Sequence, residues 1–239
     1  MIKQLAVSFL VLTIISSCSY FTGERIRGNG NVVTETRTPG SFNSVDVSGA
    51  IDVYIKQDAS SSVSVETDEN IQPYIITEVN GNTLRIKQEN NTSLRTTRLK
   101  VYVSAPQFVH LEASGACKIY SENKITSTEK LDIHLSGASH AKIDLSSPEV
   151  EAGLSGAGSV ELTGQTKDLD VHGSGSSKIR CFDLMAENVD VSISGAGNAE
   201  VYASAKLDVG VSGSGDIKYK GDPSVSQHIS GAGSVRKAE

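Results

Sequence analysis

Eight copies of the tripeptide Ser-Gly-(Ala/Ser) punctuate this chain, centred on Gly49, Gly115, Gly137, Gly156, Gly175, Gly195, Gly213 and Gly231. The steps between them are 66, 22, 19, 19, 20, 18 and 18 residues. A short and nearly fixed period means one supersecondary unit stacked on copies of itself, each burying its apolar face against the next. That restricts the fold far more than it restricts the chemistry.

Aligned on the glycine, the repeats become columns. Positions two, four and six before it are mostly apolar, as in Leu131, Ile133 and Leu135 or Val189, Val191 and Ile193. Apolar residues recur at plus four (Ile119, Ala141, Val160, Ile179, Ala199, Ile217) and mostly at plus six (Ile143, Leu162, Cys181, Val201, Tyr219). Polar residues fill the gaps, and this period-two alternation marks half-buried strands. Each repeat therefore reads as strand, tight glycine corner, strand and a short polar link. Glycine suits the corner because a left-handed backbone angle costs it nothing sterically. The small residue after it is expected to point into a narrow interior, and the serine before it to hydrogen-bond local backbone. About 19 residues leave no room for a helix beside two strands. The fold class expected is all-β, a parallel β-helix-like solenoid with an antiparallel-rich N-terminal portion.

That N-terminal portion occupies the 66-residue step. Ile51–Gln57, Ser62–Glu66, Thr83–Lys87 and Leu99–Val103 alternate cleanly, and Asn80-Gly81 between two apolar runs is a hairpin signal. Pro73 and Pro106 mark strand edges, and Glu89–Thr97 reads as an exposed loop. Residues 31–108 are expected to cap the first coils and cover the open edge a bare solenoid would expose. Residues 109–235 carry the repeats and 236–239 form a tail.

The start of the chain is a targeting segment. Lys3 supplies a positive charge, Leu5–Ile15 is apolar but too short to span a bilayer, and Ser16 and Ser17 precede Cys18. Residues 1–17 read as a signal peptide. Ile-Ser-Ser-Cys resembles a bacterial lipobox, in which Cys18 is lipidated, becomes the first mature residue and anchors the protein to a membrane. A tether over 18–30 follows. The expected location is the cell envelope, at the outer membrane, with periplasmic and surface orientations both open. Removing residues 1–17 removes one lysine, taking the net charge from −6 to −7. Such an acidic product has no electrostatic footprint for nucleic acid. Tryptophan is absent, so the usual indole platform for sugars is missing.

The segments Gly40–Ile55, Asp68-Glu-Asn-Ile, Asn80–Ile86 and the serial Ser-Gly-Ala-Gly corners together resemble the family called putative auto-transporter adhesin, head GIN domain, found in Bacteroidetes envelope lipoproteins. The resemblance runs from about Gly28 to Val235. It implies a right-handed β-helix-like fold and an adhesin role, and it brings no catalytic residues and no cofactor.

Candidate chemistry lies on the outward columns. Five before successive glycines stand Asp132, Glu151, Asp170, Asp190 and Asp208. Stacked roughly 4.8 Å apart, they would form an acidic ladder, either a divalent-cation strip or a solvated face that deters aggregation. The solvated face is favoured. Five after the glycines, Lys142, Glu161, Arg180, Glu200 and Lys218 alternate in sign and should pair across coils. His134, His172 and His228 share a column, but His134 and His172 stand two coils apart, roughly 10 Å, too far to share a zinc ion. Their neighbours Asp132 and Asp170 offer surface ion pairing. Eight equivalent serines lack the single activating base that a nucleophile needs. Cys117 and Cys181 stand three coils apart, roughly 14 Å, too far for a disulfide.

Three function classes fit. The first is a non-catalytic, lipid-anchored envelope protein presenting its surface to a protein or glycan partner. The second is a polysaccharide-active enzyme, disfavoured because no long insertion roofs a groove and basic residues do not cluster. The third is a structural or regulatory envelope component with no ligand of its own. Oligomeric state is not specified by any of these features.

Overall fold

The computed structural model describes residues 23–238. The expected signal peptide and the candidate lipidation site, Cys18, lie outside the described residues. The described chain opens with β1 (Glu24–Arg27), β2 (Val32–Arg37), β3 (Ser44–Gly49), β4 (Asp52–Gln57), β5 (Ser62–Asp68), β6 (Ile75–Asn80), β7 (Thr83–Gln88), β8 (Thr92–Arg95) and β9 (Leu99–Ala105). Next come β10 (His110–Gly115), β11 (Lys118–Ser121), β12 (Ile125–Thr126) and β13 (Leu131–Gly137). Four long strands follow: β14 (His140–Gly156), β15 (Ser159–Gly175), β16 (Lys178–Gly195) and β17 (Asn198–Gly213). The chain closes with β18 (Asp216–Lys220), β19 (Ser224–Gly231) and β20 (Ser234–Lys237). A single 3₁₀ turn, Gln72–Tyr74, is the only helical segment among the described residues. All strands except β1 and β8 join one 18-stranded sheet.

That sheet is wound into the expected solenoid. On one side β7, β3, β10, β13, the second halves of β14 to β17, and β19 stack in parallel. On the other, β9, β4, β11, the first halves of β14 to β17, β18 and β20 do the same. The corner glycines fall in register, for example Gly137 with Gly156 and Gly156 with Gly175. Gly156 has φ +101°, and a Cβ there would lie 2.6 Å from the carbonyl oxygen of Gly137. The corner thus demands glycine twice over, for its backbone angle and for the approach of the coil beneath. The core columns are buried as expected, with Ile133, Val171, Val191, Ile119 and Val160 at or near zero exposure.

Three local expectations need correction. The residue after each glycine faces solvent in every repeat; the side chain that enters the corner is two after the glycine. That column runs Ile51, Cys117, Ser139, Gly158, Ser177, Gly197, Gly215 and Gly233 along the stack. At Gly197 a Cβ would lie 2.6 Å from Ser177 Oγ, so the corner is indeed narrow. The serines before the glycines do not close the corner either. Backbone does, through donation from Ala138 N to Gly115 O (2.7 Å), Ala157 N to Gly137 O (2.8 Å) and Ala196 N to Gly175 O (2.8 Å). Among those serines only Ser174 bonds backbone, at a long 3.4 Å to Leu154 O. Ser139 Oγ, from the inward column, donates to Ser136 O at 2.9 Å. Finally, no polar link interrupts β14 to β17. The second corner is a bend within a continuous strand, where inward hydroxyls cap backbone: Ser147 Oγ to Glu129 O and Glu149 O, both 2.8 Å, and Thr166 Oγ1 to Asp168 O, 3.0 Å.

The 66-residue step is not a gap in the stack. Gly49 and Gly115 are direct neighbours, with Ala116 N donating to Gly49 O at 2.7 Å. The intervening chain passes to the far side of the β3–β4 coil and closes that end. There β7 lies parallel to β3, β9 parallel to β4, and β6, β5 and β2 add antiparallel edges. The β6–β7 hairpin turns at Gly81-Asn82. Two more corrections belong here. Residues 24–27 of the expected tether form β1, and residues 92–95 of the expected exposed loop form β8, paired parallel to it.

Asp68 locks this cap. Its side chain is fully buried and accepts from Gly30 N (2.7 Å), Thr96 Oγ1 (2.7 Å), Thr97 N (2.7 Å) and Thr97 Oγ1 (3.0 Å). These donors, Thr96 first, hold its carboxyl down at about 2.

Candidate binding face

Strand register settles where the candidate residues stand. His110, Asp132, Glu151, Asp170, Asp190 and Asp208 occupy one column on successive coils. The acidic ladder therefore exists, but cations interrupt it. Lys130 pairs with Glu151 and, at 3.5 Å, with Glu149; Lys206 pairs with Asp208. The Lys130 ammonium, hydrogen-bonded to Glu151, holds that carboxyl below its ordinary range, and Lys206 does the same for Asp208. Burial raises Asp170, with Asp190 and Glu151 adding repulsion and His172 opposing it. Asp190 makes no ion pair among the described residues. Lysines thus compensate two of the five ladder acids, Glu151 and Asp208.

The sign-alternating column is also in register, Lys142 beside Glu161, Arg180, Glu200 and Lys218. Lys142 and Glu161 meet at 2.7 Å, and Glu200 and Lys218 at 3.7 Å. Toward the N-terminal end the same column turns aromatic: Tyr102, Tyr54 and Tyr120 stack with ring centroids 5.2 and 5.4 Å apart. Their faces are turned to one another, so they stiffen the sheet rather than offer a platform. Cys117 and Cys181 are both free and buried, with burial pushing the Cys181 thiol up to about 12.

The histidine column borders the main cavity. From Glu112 it continues through His134, Gly153, His172, Ser192 and Gly210 to His228. Three of these positions are glycine or serine, so the surface dips. With the neighbouring serine column they frame a groove of about 760 Å³ across seven coils, lined also by Leu135, Leu154, Ile193 and Val211. A Cβ at Gly153 would meet His134 Nδ1 at 2.7 Å, so a larger residue there would displace the His134 ring. None of the corner serines is hydrogen-bonded to a histidine or carboxylate among the described residues, so none is prepared as a nucleophile.

Structure joins one histidine to this face that the tripeptide periodicity does not reveal. His110 Nδ1 lies 3.0 Å from Asp132 Oδ2, and His134 Nε2 lies 2.9 Å from Asp132 Oδ1. The two imidazoles are 5.6 Å apart, and Glu112 Oε2 stands 3.6 Å from His110 Nε2. Asp170 and His172 repeat the pair at 3.0 Å two coils on, where Glu151 takes the place of the third group. His110 stands five before Gly115, in the column that acids occupy on later coils, but it is neither acidic nor in the column of His134 and His172, so the repeat pattern alone does not mark it.

The family model described as putative auto-transporter adhesin, head GIN domain, matches residues 41–223. This chain belongs to that family. A putative adhesin from Bacteroides fragilis NCTC 9343 is 26% identical with a TM-score of 0.85, over 89% of this chain and 100% of that one. A putative lipid binding protein from Parabacteroides distasonis ATCC 8503 is 27% identical with a TM-score of 0.75, over 90% of this chain and 100% of that one. A putative adhesin from the same Parabacteroides distasonis strain is 26% identical with a TM-score of 0.75, again over 90% and 100%. No curated protein matches the chain. The head GIN family is named for adhesion, which fits an exported, envelope-associated protein. No helix among the described residues is long and apolar enough to cross a membrane.

Proposed function

We propose that this chain is a non-catalytic envelope protein, lipid-anchored through Cys18 at the outer membrane, that binds an extended protein or glycan partner along the groove. The observation that carries this reading is the groove itself, which spans seven coils and is made by small residues aligned in one outward column. A straight trough of this kind suits a linear partner, and a row of hydroxyls and imidazoles supplies directional contacts. The Asp132 to Asp208 ladder serves as a solvated edge beside it.

A second reading places an acyl chain in the same groove. Its support is a structural neighbour named for lipid binding, and a groove floor that lies over the buried side chains of Leu135, Leu154, Ile193 and Val211.

One pair of variants tests both. Ser192→Trp and Gly210→Trp fill the groove at positions where the backbone is not left-handed. Each is expected to abolish retention of the partner captured by the wild type, an envelope glycan or protein in one assay and a fluorescent fatty acid in the other. Unchanged retention in both variants refutes the groove as the binding site. Cys18→Ser should move the protein from the membrane to the soluble fraction; continued membrane retention refutes the anchor.

A further inference from the structure

The His110, Asp132 and His134 cluster lies at the mouth of the groove, which only His134 of the three lines. Three donors converge there from two adjacent coils. Each histidine approaches a different oxygen of one carboxylate, at 3.0 and 2.9 Å, and one potential ligand atom from each residue lies within 4.8 Å of the others. We propose that this cluster is a zinc site, with His110, Asp132 and His134 as ligands and a coordination position left open to solvent.

Four features support the assignment. The donor set, two imidazoles and a carboxylate, is the borderline N/O combination that zinc and its first-row neighbours prefer over calcium or magnesium. Ligands bound at about 2.0–2.1 Å in a tetrahedron sit about 3.3 Å apart, so a set whose ligand atoms lie within 4.8 Å of one another closes on the ion by side-chain rotation. Asp132 Oδ1 is shielded from water yet accepts no hydrogen bond, because His134 Nε2 is close to it but not aligned for donation. A shared cation would satisfy both. Finally, the far nitrogen of His110 faces Glu112, an outer carboxylate of the kind that orients histidine ligands and raises their basicity.

The Asp170–His172 pair is a built-in control. It has the same spacing and an equally orphaned Asp170 Oδ1, but its would-be third ligand, Glu151, is engaged by Lys130. Two donors hold zinc far more weakly than three. Because Glu112 and His134 line the groove, the open position faces its entrance, where a partner carboxylate or hydroxyl could complete the coordination.

The test is titration of the tag-free, metal-stripped full chain in detergent with zinc chloride by calorimetry, and with cobalt(II) by visible absorption. Buried Cys117 and Cys181 contribute no accessible thiol. The expected result is one saturable zinc per chain and a cobalt d–d band. His110→Ala and His134→Ala should each weaken binding at least tenfold, Glu112→Gln by about 10–100-fold, and His172→Ala not at all. Melting of the metal-free variants should match wild type, since all these side chains are at the surface. Absence of saturable binding overturns the proposal. So does zinc affinity indifferent to His110→Ala, or equally sensitive to His172→Ala.

Discussion

The two ends of the solenoid are built on opposite principles. At the N-terminal end the β3–β4 coil is covered by β7 and β9, and then by antiparallel β6, β5 and β2. At the C-terminal end all eight residues of β19 are exposed. Val225 and Ile229 stand in the core columns of Leu207 and Val211, yet are 39% and 38% exposed against 0% and 2% one coil earlier. The side chains are of the same kind, so the difference comes from having a neighbour on one side only. A coil of this solenoid owes its core to the coils on both flanks. The last coil adapts its composition to that condition: Gln227 replaces the valine of the Val209 column, Pro223 precedes the strand, and Lys220, Arg236 and Lys237 crowd the edge. Charges and proline deter edge-to-edge pairing.

This contrast can be broken in measurable ways. Ile133→Ala, in a coil flanked on both sides, should cost about 2–5 kcal/mol, while Ile229→Ala in the last coil should cost about 0.5 kcal/mol or less. Denaturant titration checks the pair, and equal losses would mean the last coil is buried by something else. Asp68→Ala should cost about 1–3 kcal/mol, because Gly30 and Thr97 N–H groups lose their acceptor inside the cap. The same carboxylate gives a pH signature. Its folded pKa lies below the ordinary value of 3.8, at about 2, so its contribution is complete above 3.8 and is lost as pH falls toward 2. Wild type should therefore lose stability in acid more steeply than Asp68→Asn; parallel acid profiles would refute the clamp. Amide exchange in β19 and β20 should be far faster than in β14 to β16, and uniform protection would contradict an open end. The smallest effect belongs to the exposed Lys142–Glu161 pair, where Lys142→Ala should lower the melting temperature barely measurably, and less at high salt.

Much of this architecture is visible in the periodicity. Apolar columns at fixed offsets from a glycine can be buried together only by stacking, and the register pairs Asp132, Glu151, Asp170, Asp190 and Asp208 as counted. The corner was harder. Counting by twos through the glycine places the plus-two residue inside, but the uniformly small alanine or serine at plus one suggests a steric demand there that the backbone does not make. The cap was legible as antiparallel strands, not as a detour to the other side of Gly49, because no repeat links Thr83–Gln88 to Ser44–Gly49. The β1–β8 pair is too short and polar to show a period. His110 and the three stacked tyrosines depend on contacts between coils of unlike sequence, which column statistics average away.

The neighbour-on-neighbour pairing also bears on how the chain can assemble. Apart from the β6–β7 hairpin and the β1–β8 pair, strand pairings within the cap join residues 26 to 48 apart, as in Arg37 with Val63 or Asp52 with Lys100, whereas later coils join residues 18 to 20 apart. Closing the longer loops is the slow entropic step. Once the cap exists it presents a finished strand edge, and each arriving stretch of about 19 residues needs only the edge laid down just before it. A chain delivered N-terminus first across a membrane would meet its template in the right sequence, growing as a zipper rather than searching as a globule.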